Sequence, residues 1–263
     1  MYGAFYDHHV HSLFSWDSES PLEDLVAATR KAGLGGFVLT YHVEFEPADP
    51  GFGKYRYEAA REAWEDLQEI TTDLKISFGA EVTHQERALP EIRDFLHAHR
   101  FHWVIGSAHY VGHEEIANYV HRAEAEGIPL EDCLEEYFRA CRGAVESNLY
   151  DCLGHMDFPK RFSRRGAELS GEFWMRHYAK VIRQVLTACL DFGVFLEVNT
   201  GSFRAGFMEP YPGWAILDAY RALGGREVML SSDAHRPEDV GTAYGVVVKE
   251  LVKRGLSIRN GVA

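Results

Sequence analysis

The chain has 263 residues, 46% of them apolar and 25% charged, and a net charge of −13. That length suits one large α/β domain or two smaller ones, and with no run of eighteen apolar residues a membrane-spanning helix is not expected. The acidic balance argues against gripping duplex nucleic acid by phosphate neutralisation and makes small substrates the better expectation.

The amino-terminal stretch MYGAFYDHH has neither a basic n-region nor an apolar h-region, so no secretory signal is expected and the cytoplasm is the default compartment. Seven short apolar segments follow in order: Phe5–His11, Gly36–His42, Ile76–Val82, Trp103–His109, Cys152–Asp157, Val194–Asn199 and Glu227–Asp233. Each precedes a helical or loop-like stretch, the pattern of buried parallel strands joined by crossovers. Ser20-Pro21-Leu22-Glu23 offers an N-cap, a proline at the first helical position and a capping-box glutamate, with Gly33 ending that helix. A second helix spans about Ser170 to Leu190, with Gly193 beyond it. Two long connections, Glu44 to Tyr57 and His113 to Tyr150, are expected to shape a pocket.

Alternation of this kind, with no Gly-rich phosphate loop after any strand, favours a closed barrel over a nucleotide-binding open sheet. The expectation is an α/β fold, a distorted TIM-like (β/α)7 barrel, as a single domain over residues 1–263. Cys133, Cys141, Cys152 and Cys189 form no C-x-x-C pair and read as small buried hydrophobes.

Six of the seven strands end in histidine, glutamate or aspartate: His9 and His11, His42, Glu81, His109, His155 and Asp157, and Asp233 and His235. In a β/α barrel such ends converge on one face. Side-chain alternation puts His9 and His11 on the same side of their strand, and likewise Asp233 and His235. Neutral imidazoles and carboxylates suit borderline to hard divalent ions, and a carboxylate such as Glu81 can be shared by two of them. Zinc, manganese and iron(II) all fit this donor set. His8, His84, His97, His99, His102, His113, His121 and His177 stand outside the pattern and read as surface or structural residues.

His9-Val10-His11-Ser12, Asp17, His42, Gly79-Ala80-Glu81, Gly106-Ser107-Ala108-His109, Gly154-His155-Met156-Asp157 and Ser232-Asp233-Ala234-His235 together resemble the ordered motifs of the polymerase-and-histidinol-phosphatase (PHP) family. The single domain and the Gly-Ser-x-His segment look like its histidinol-phosphatase branch. The resemblance implies a centre of two to three divalent ions. His9, His11, Glu81 and Asp233 would serve one ion, Glu81, His109 and His155 a second, and Asp17, His42 and His235 a third. Asp17 stands where some relatives carry histidine, and Tyr41 precedes His42 where aspartate is often seen, so occupancy of the third site stays open. Asp17 reads equally as a turn residue before the first helix, and Asp157 as a partner steadying His155.

Water acidified between two such ions is a suitable nucleophile for phosphorus, with Glu81, Asp233 and His235 as the catalytic candidates. Phosphate oxygens want cations and donors, for which Lys160, Arg161, Ser202 and Arg204 are the candidates past the fifth and sixth strands. Histidinol phosphate also carries an ammonium and an imidazole, so Glu44, Glu114 and Glu115 are candidate carboxylates for its positive end. The implied activity is hydrolysis of this small phosphate ester at a late step of histidine biosynthesis, with no nucleic-acid or membrane partner and with homo-oligomerisation open. Three alternatives stand beside it: a PHP nuclease or nucleotide phosphatase, a protein-tyrosine phosphatase of the same family, and an inert PHP module.

Overall fold

The computed structural model describes residues 5–262, so the first four residues of the stretch expected to carry no leader lie outside it. The strands are β1 Tyr6–Val10, β2 Gly36–Val43, β3 Lys75–Thr83, β4 Trp103–Ser107, β5 Tyr110–Val111, β6 Glu114–Glu115, β7 Cys152–Leu153, β8 Phe195–Asn199, β9 Glu227–Ser231 and β10 Ser257–Ile258. The helices are α1 Leu22–Ala32, α2 Tyr57–Ile70, α3 Leu89–Ala98, α4 Ile116–Ala125, α5 Leu130–Cys133, α6 Glu135–Glu146, α7 Gly171–Phe192, α8 Gly201–Arg204, α9 Trp214–Ala222 and α10 Tyr244–Lys253.

All seven expected segments contain a strand of one parallel sheet, in the order β1-β2-β3-β4-β7-β8-β9-β10, although that of Cys152–Asp157 is only the two residues Cys152–Leu153. Most of their residues are buried, as a parallel sheet covered on both faces requires. The sheet curls until β1 meets β9, where Val10 bridges Ala234 and the His11 amide donates to the Ala234 carbonyl at 2.8 Å. This is the TIM-like barrel, distorted because its last seam has almost no ladder. Side chains fasten that seam: Asp7 accepts from the Ser232 amide at 2.8 Å and the Gly241 amide at 3.1 Å, and His8 Nδ1 lies 2.9 Å from the Leu230 carbonyl. The short β10, outside the seven expected segments, pairs with the start of β9.

Local signals hold with one correction. Gly33 ends α1 at φ +71° and Gly193 ends α7 at φ +69°, each in the left-handed conformation glycine adopts without strain. Ser20, however, is not the cap of α1; Pro21 occupies that position and the Ser20 hydroxyl donates to the His235 carbonyl at 2.8 Å. The serine is used across the barrel mouth, where it holds a site residue. The four cysteines are free, three of them buried and Cys133 half-buried. No helix among the described residues is long and apolar enough to cross a membrane.

Gly106, the next-to-last residue of β4, admits the ring of Tyr150: a Cβ there would sit 2.2 Å from Tyr150 Cδ2. Gly106→Ala is therefore expected to lower unfolding stability by about 1–3 kcal/mol, the usual cost of overpacking. Urea denaturation of the variant checks this, and a gain in stability would show that the ring and strand are not so tightly opposed.

Candidate metal centre

The carboxy-terminal ends of the strands deliver the expected residues to one place. Parallel register sets His42 on β2 beside Glu81 on β3, and the β1–β9 seam brings His9 and His11 toward Asp233. Asp233 itself lies just past β9 with φ +54°, a left-handed conformation unusual for a non-glycine residue. Three overlapping sets of potential ligand atoms result: His9, His11 and Asp233; His42, Glu81 and His109; and His11, Asp17, His42 and His235.

Glu81 sits at the middle, 1% exposed. Its Oε2 lies 3.1 Å from His9 Nε2, 3.5 Å from His11 Nε2 and 3.4 Å from His42 Nδ1. Its Oε1 lies 2.9 Å from His155 Nε2 and 3.5 Å from His109 Nε2, and accepts the Ser107 hydroxyl at 2.6 Å. Asp233 Oδ1 is 3.3 Å from His11 Nε2, 3.7 Å from His9 Nε2 and 3.5 Å from His235 Nδ1. At the mouth, Asp17 Oδ2 lies 3.0 Å from His235 Nε2 and 3.4 Å from His42 Nε2, so Asp17 joins the cluster as well as the turn before α1.

Electrostatics follow from this crowding. Burial works against a charged His9, but Glu81, Asp233 and Glu197 together outweigh it and hold its pKa well above the ordinary value. Burial likewise opposes an ionised Glu81, yet the surrounding imidazoles keep its carboxyl well below the usual range. Asp233 is held low in the same way, with His9 the leading counter-influence to burial. His11 goes the other way: burial, reinforced by His235 and His42, pushes it down to about 3 and keeps it neutral. A neutral imidazole is the ligand form.

The donor set fits divalent cations on its geometry alone. His9 Nδ1 donates to Glu197 Oε1 at 2.7 Å, so Nε2 is the nitrogen turned to Glu81 Oε2, where a bound cation would take the place of the proton that the carboxylates otherwise hold there. His11 Nε2 and His42 Nδ1 are buried without a hydrogen-bond partner and point at the same carboxylates. Lone pairs that converge in a buried space need a proton or a cation among them, and nitrogen and oxygen donors without thiolate suit zinc, manganese or iron.

Glu197, on β8, escaped the strand-end pattern because it lies two residues before the end of its strand. Its signal was a lone acid between Leu196 and Val198 in an otherwise apolar segment, since a buried carboxylate needs partners. Besides His9 it accepts from the His155 amide at 2.5 Å and the Ser231 hydroxyl at 2.7 Å.

A pocket of about 190 Å³ stands over the cluster, smaller than the roughly 300–1,000 Å³ typical of drug-sized ligands. Arg161, Arg204, Glu44, Asp49, Glu115 and the aromatic rings of Trp16, Phe158 and Phe162 line it together with the cluster. Arg161 is exposed, forms no ion pair among the described residues and lies over the Phe158 ring. Arg204 is more committed: its guanidinium donates to the Ser232 and Asp233 carbonyls, both at 2.7 Å, and so holds the turn that presents Asp233.

Four candidates are placed elsewhere. Lys160 is fully buried, its ammonium donating to Asp157 at 2.9 Å, the Pro210 carbonyl at 2.9 Å and Glu209 at 3.4 Å, so no donor is left for a substrate. Asp157 does not reach the His155 ring; it holds Lys160 and the Gly213 amide, and burial raises its pKa to about 6 despite the lysine. Ser202 is buried under the short α8 and absent from the pocket wall. Glu114 is turned to Arg122 at 2.8 Å, while its neighbour Glu115 faces the pocket.

Comparison with known proteins agrees with this geometry. The PHP domain family matches the chain over residues 7–201. A probable histidinol-phosphatase of Thermotoga maritima is 26% identical over 253 residues, covering 94% of this chain and 91% of that protein. The histidinol-phosphatase of Lactococcus lactis is 26% identical over 234 residues, covering 87% of this chain and 83% of that protein. The crystal structure of the Lactococcus lactis histidinol phosphate phosphatase, complexed with zinc, L-histidinol and phosphate, superposes with a TM-score of 0.80 at 22% identity, covering 99% of this chain and 97% of that one.

Since Glu197 fixes which nitrogen of His9 faces the cluster, Glu197→Gln is expected to weaken metal affinity about 10–100-fold. Competition against a chromophoric chelator measures this, and unchanged affinity would show that the His9 tautomer is set by something else.

Proposed function

The chain belongs to the PHP domain family, and on that footing we propose that it is a metal-dependent histidinol-phosphatase, releasing histidinol and phosphate from L-histidinol phosphate in histidine biosynthesis. The observation that carries this reading is the convergence of imidazoles on the Glu81 carboxylate beneath a small pocket whose wall bears Arg161 and the carboxylates Glu44, Asp49 and Glu115, none of which has a lysine or arginine partner among the described residues. His9, His11, Glu81 and Asp233 would hold one ion, Glu81, His109 and His155 a second, and Asp17, His42 and His235 a third; zinc, manganese and iron(II) suit all three. When bound, such ions supply Lewis acidity to the phosphoryl oxygens and acidify water.

The chain's own residues do the rest. Arg161 offers a charge-assisted donor to a phosphate oxygen, while Arg204 acts through Asp233, whose turn it holds. Asp233, kept ionised between His11 and His235, has Oδ1 placed to accept the proton that the attacking water gives up. His235 is the most open of the cluster's imidazoles, its side chain 30% exposed, and stands at the mouth through which the alcohol departs, while the proton held by Asp233 is the one returned to the departing oxygen. Phe158 covers the His155 ring at 4.3 Å and limits water on that side. Glu44, Asp49 and Glu115 supply negative charge for the substrate's ammonium, which orients the reacting phosphorus. The water oxygen forms the new bond to phosphorus, the ester P–O bond breaks, and the alkoxide takes the returned proton.

Steady-state assays of the zinc- or manganese-loaded protein test the assignment. L-Histidinol phosphate is expected to exceed p-nitrophenyl phosphate in kcat/KM, and Arg161→Ala to lose on the order of 2–4 kcal/mol of transition-state stabilisation without losing metal. A nucleotide or phosphotyrosyl peptide turned over much faster than histidinol phosphate would replace the substrate while keeping the metal-dependent phosphatase.

A further inference from the structure

A second pocket, of about 380 Å³, opens between the loop that begins at His84, the β5–β6 hairpin and α6. The metal centre uses none of its polar groups. His84 and Gln85 are 3% and 5% exposed, and neither His84 Nε2 nor the Gln85 amide nitrogen has a hydrogen-bond partner among the described residues.

Both are donors. Tyr150's buried hydroxyl lies 3.2 Å from His84 Nδ1 and has no other partner among the described residues, so it donates to that nitrogen and the ring proton sits on Nε2. Burial pushes the His84 pKa down to about 4, so the ring stays neutral. Gln85 accepts from Arg87 through its carbonyl oxygen at 3.4 Å, which leaves its NH2 group for the pocket.

The opposite wall is kept clear by a glycine where a helix disfavours one. Gly143 lies inside α6, and a Cβ there would stand 3.4 Å from His84 Nε2 and 3.5 Å from Glu86 Oε2. Charge then narrows the ligand. Arg87 is paired with Glu46 and Arg139 with Glu135, whereas Glu86, 82% exposed with its Oε2 3.9 Å from His84 Nε2, and Glu136 form no pair with lysine or arginine among the described residues. A simple anion would meet those two carboxylates, but a zwitterion satisfies donors and acids together.

We propose that this pocket binds a free α-amino acid, with its carboxylate on the His84 and Gln85 N–H groups and its ammonium at Glu86 and Glu136. Occupancy bears on the substrate pocket through Tyr110, which lines the second pocket and donates its hydroxyl to Asp49 on the wall of the first, at 2.7 Å. Glu115, paired opposite Tyr110 across the same hairpin, lines the first pocket too.

Calorimetric titration of the metal-loaded protein with a panel of L-amino acids, alongside acetate and ethylamine, reads binding without reference to turnover. At least one amino acid is expected to bind at a single saturable site with a Kd of about 1 mM or tighter, and acetate and ethylamine not to bind there. Gly143→Ala and Gln85→Leu should each weaken it about tenfold or more with metal content unchanged, and Gly143→Ala should fold at least as stably as the parent because alanine favours the helix. No amino acid bound, acetate bound as tightly, or binding undiminished in both variants, which would place the amino acid at the metal centre, overturns the proposal.

Discussion

Glu81 is a buried carboxylate with imidazole nitrogens facing each of its oxygens: His9, His11 and His42 on one, His109 and His155 on the other. Such an arrangement is costly without positive charge between the facing lone pairs, and the barrel exists around it in the sense that four separate strand ends must meet there. β3 lies inside the sheet, bonded to β2 and β4, so its position is fixed from both sides. The weak place is the β1–β9 seam, through which His9 and His11 must reach Asp233. Asp7, His8 and Glu197 compensate with side-chain bonds to β9 or the residues just beyond it. The same carboxylate that orients His9 thus helps close the barrel.

Much of this was legible in the sequence because a parallel β/α arrangement writes its functional face at strand ends. The alternation of apolar segments and crossovers specified the barrel, and His9, His11, His42, Glu81, His109, His155, Asp233 and His235 appeared where those segments stop. Asp17 was ambiguous for a physical reason: the turn before α1 and the cluster at the barrel mouth occupy the same place, and the residue serves both. β10 was missed because two paired residues carry no periodicity.

The misplacements concern what a polar side chain finds as a partner, which spacing does not encode. Lys160 and Arg161 are neighbours, yet one is swallowed by Asp157, Glu209 and a carbonyl while the other faces the pocket. Arg204 reaches the pocket but gives its donors to two backbone carbonyls. Ser20 looked like a helix cap and instead holds the His235 carbonyl. Glu197 lay inside a strand rather than at its end, and only its incongruity among apolar neighbours marked it.

Stepwise reconstitution tests most directly whether a metal centre sharing the Glu81 carboxylate hydrolyses histidinol phosphate. Metal-free protein would be titrated with zinc while phosphate release from L-histidinol phosphate and bound metal are followed together. No turnover is expected without metal, and turnover is expected to rise with a second equivalent, because Glu81 presents one oxygen to each of two groups of imidazoles. Full turnover in the presence of a chelator, or with a single ion bound per chain, would contradict this expectation.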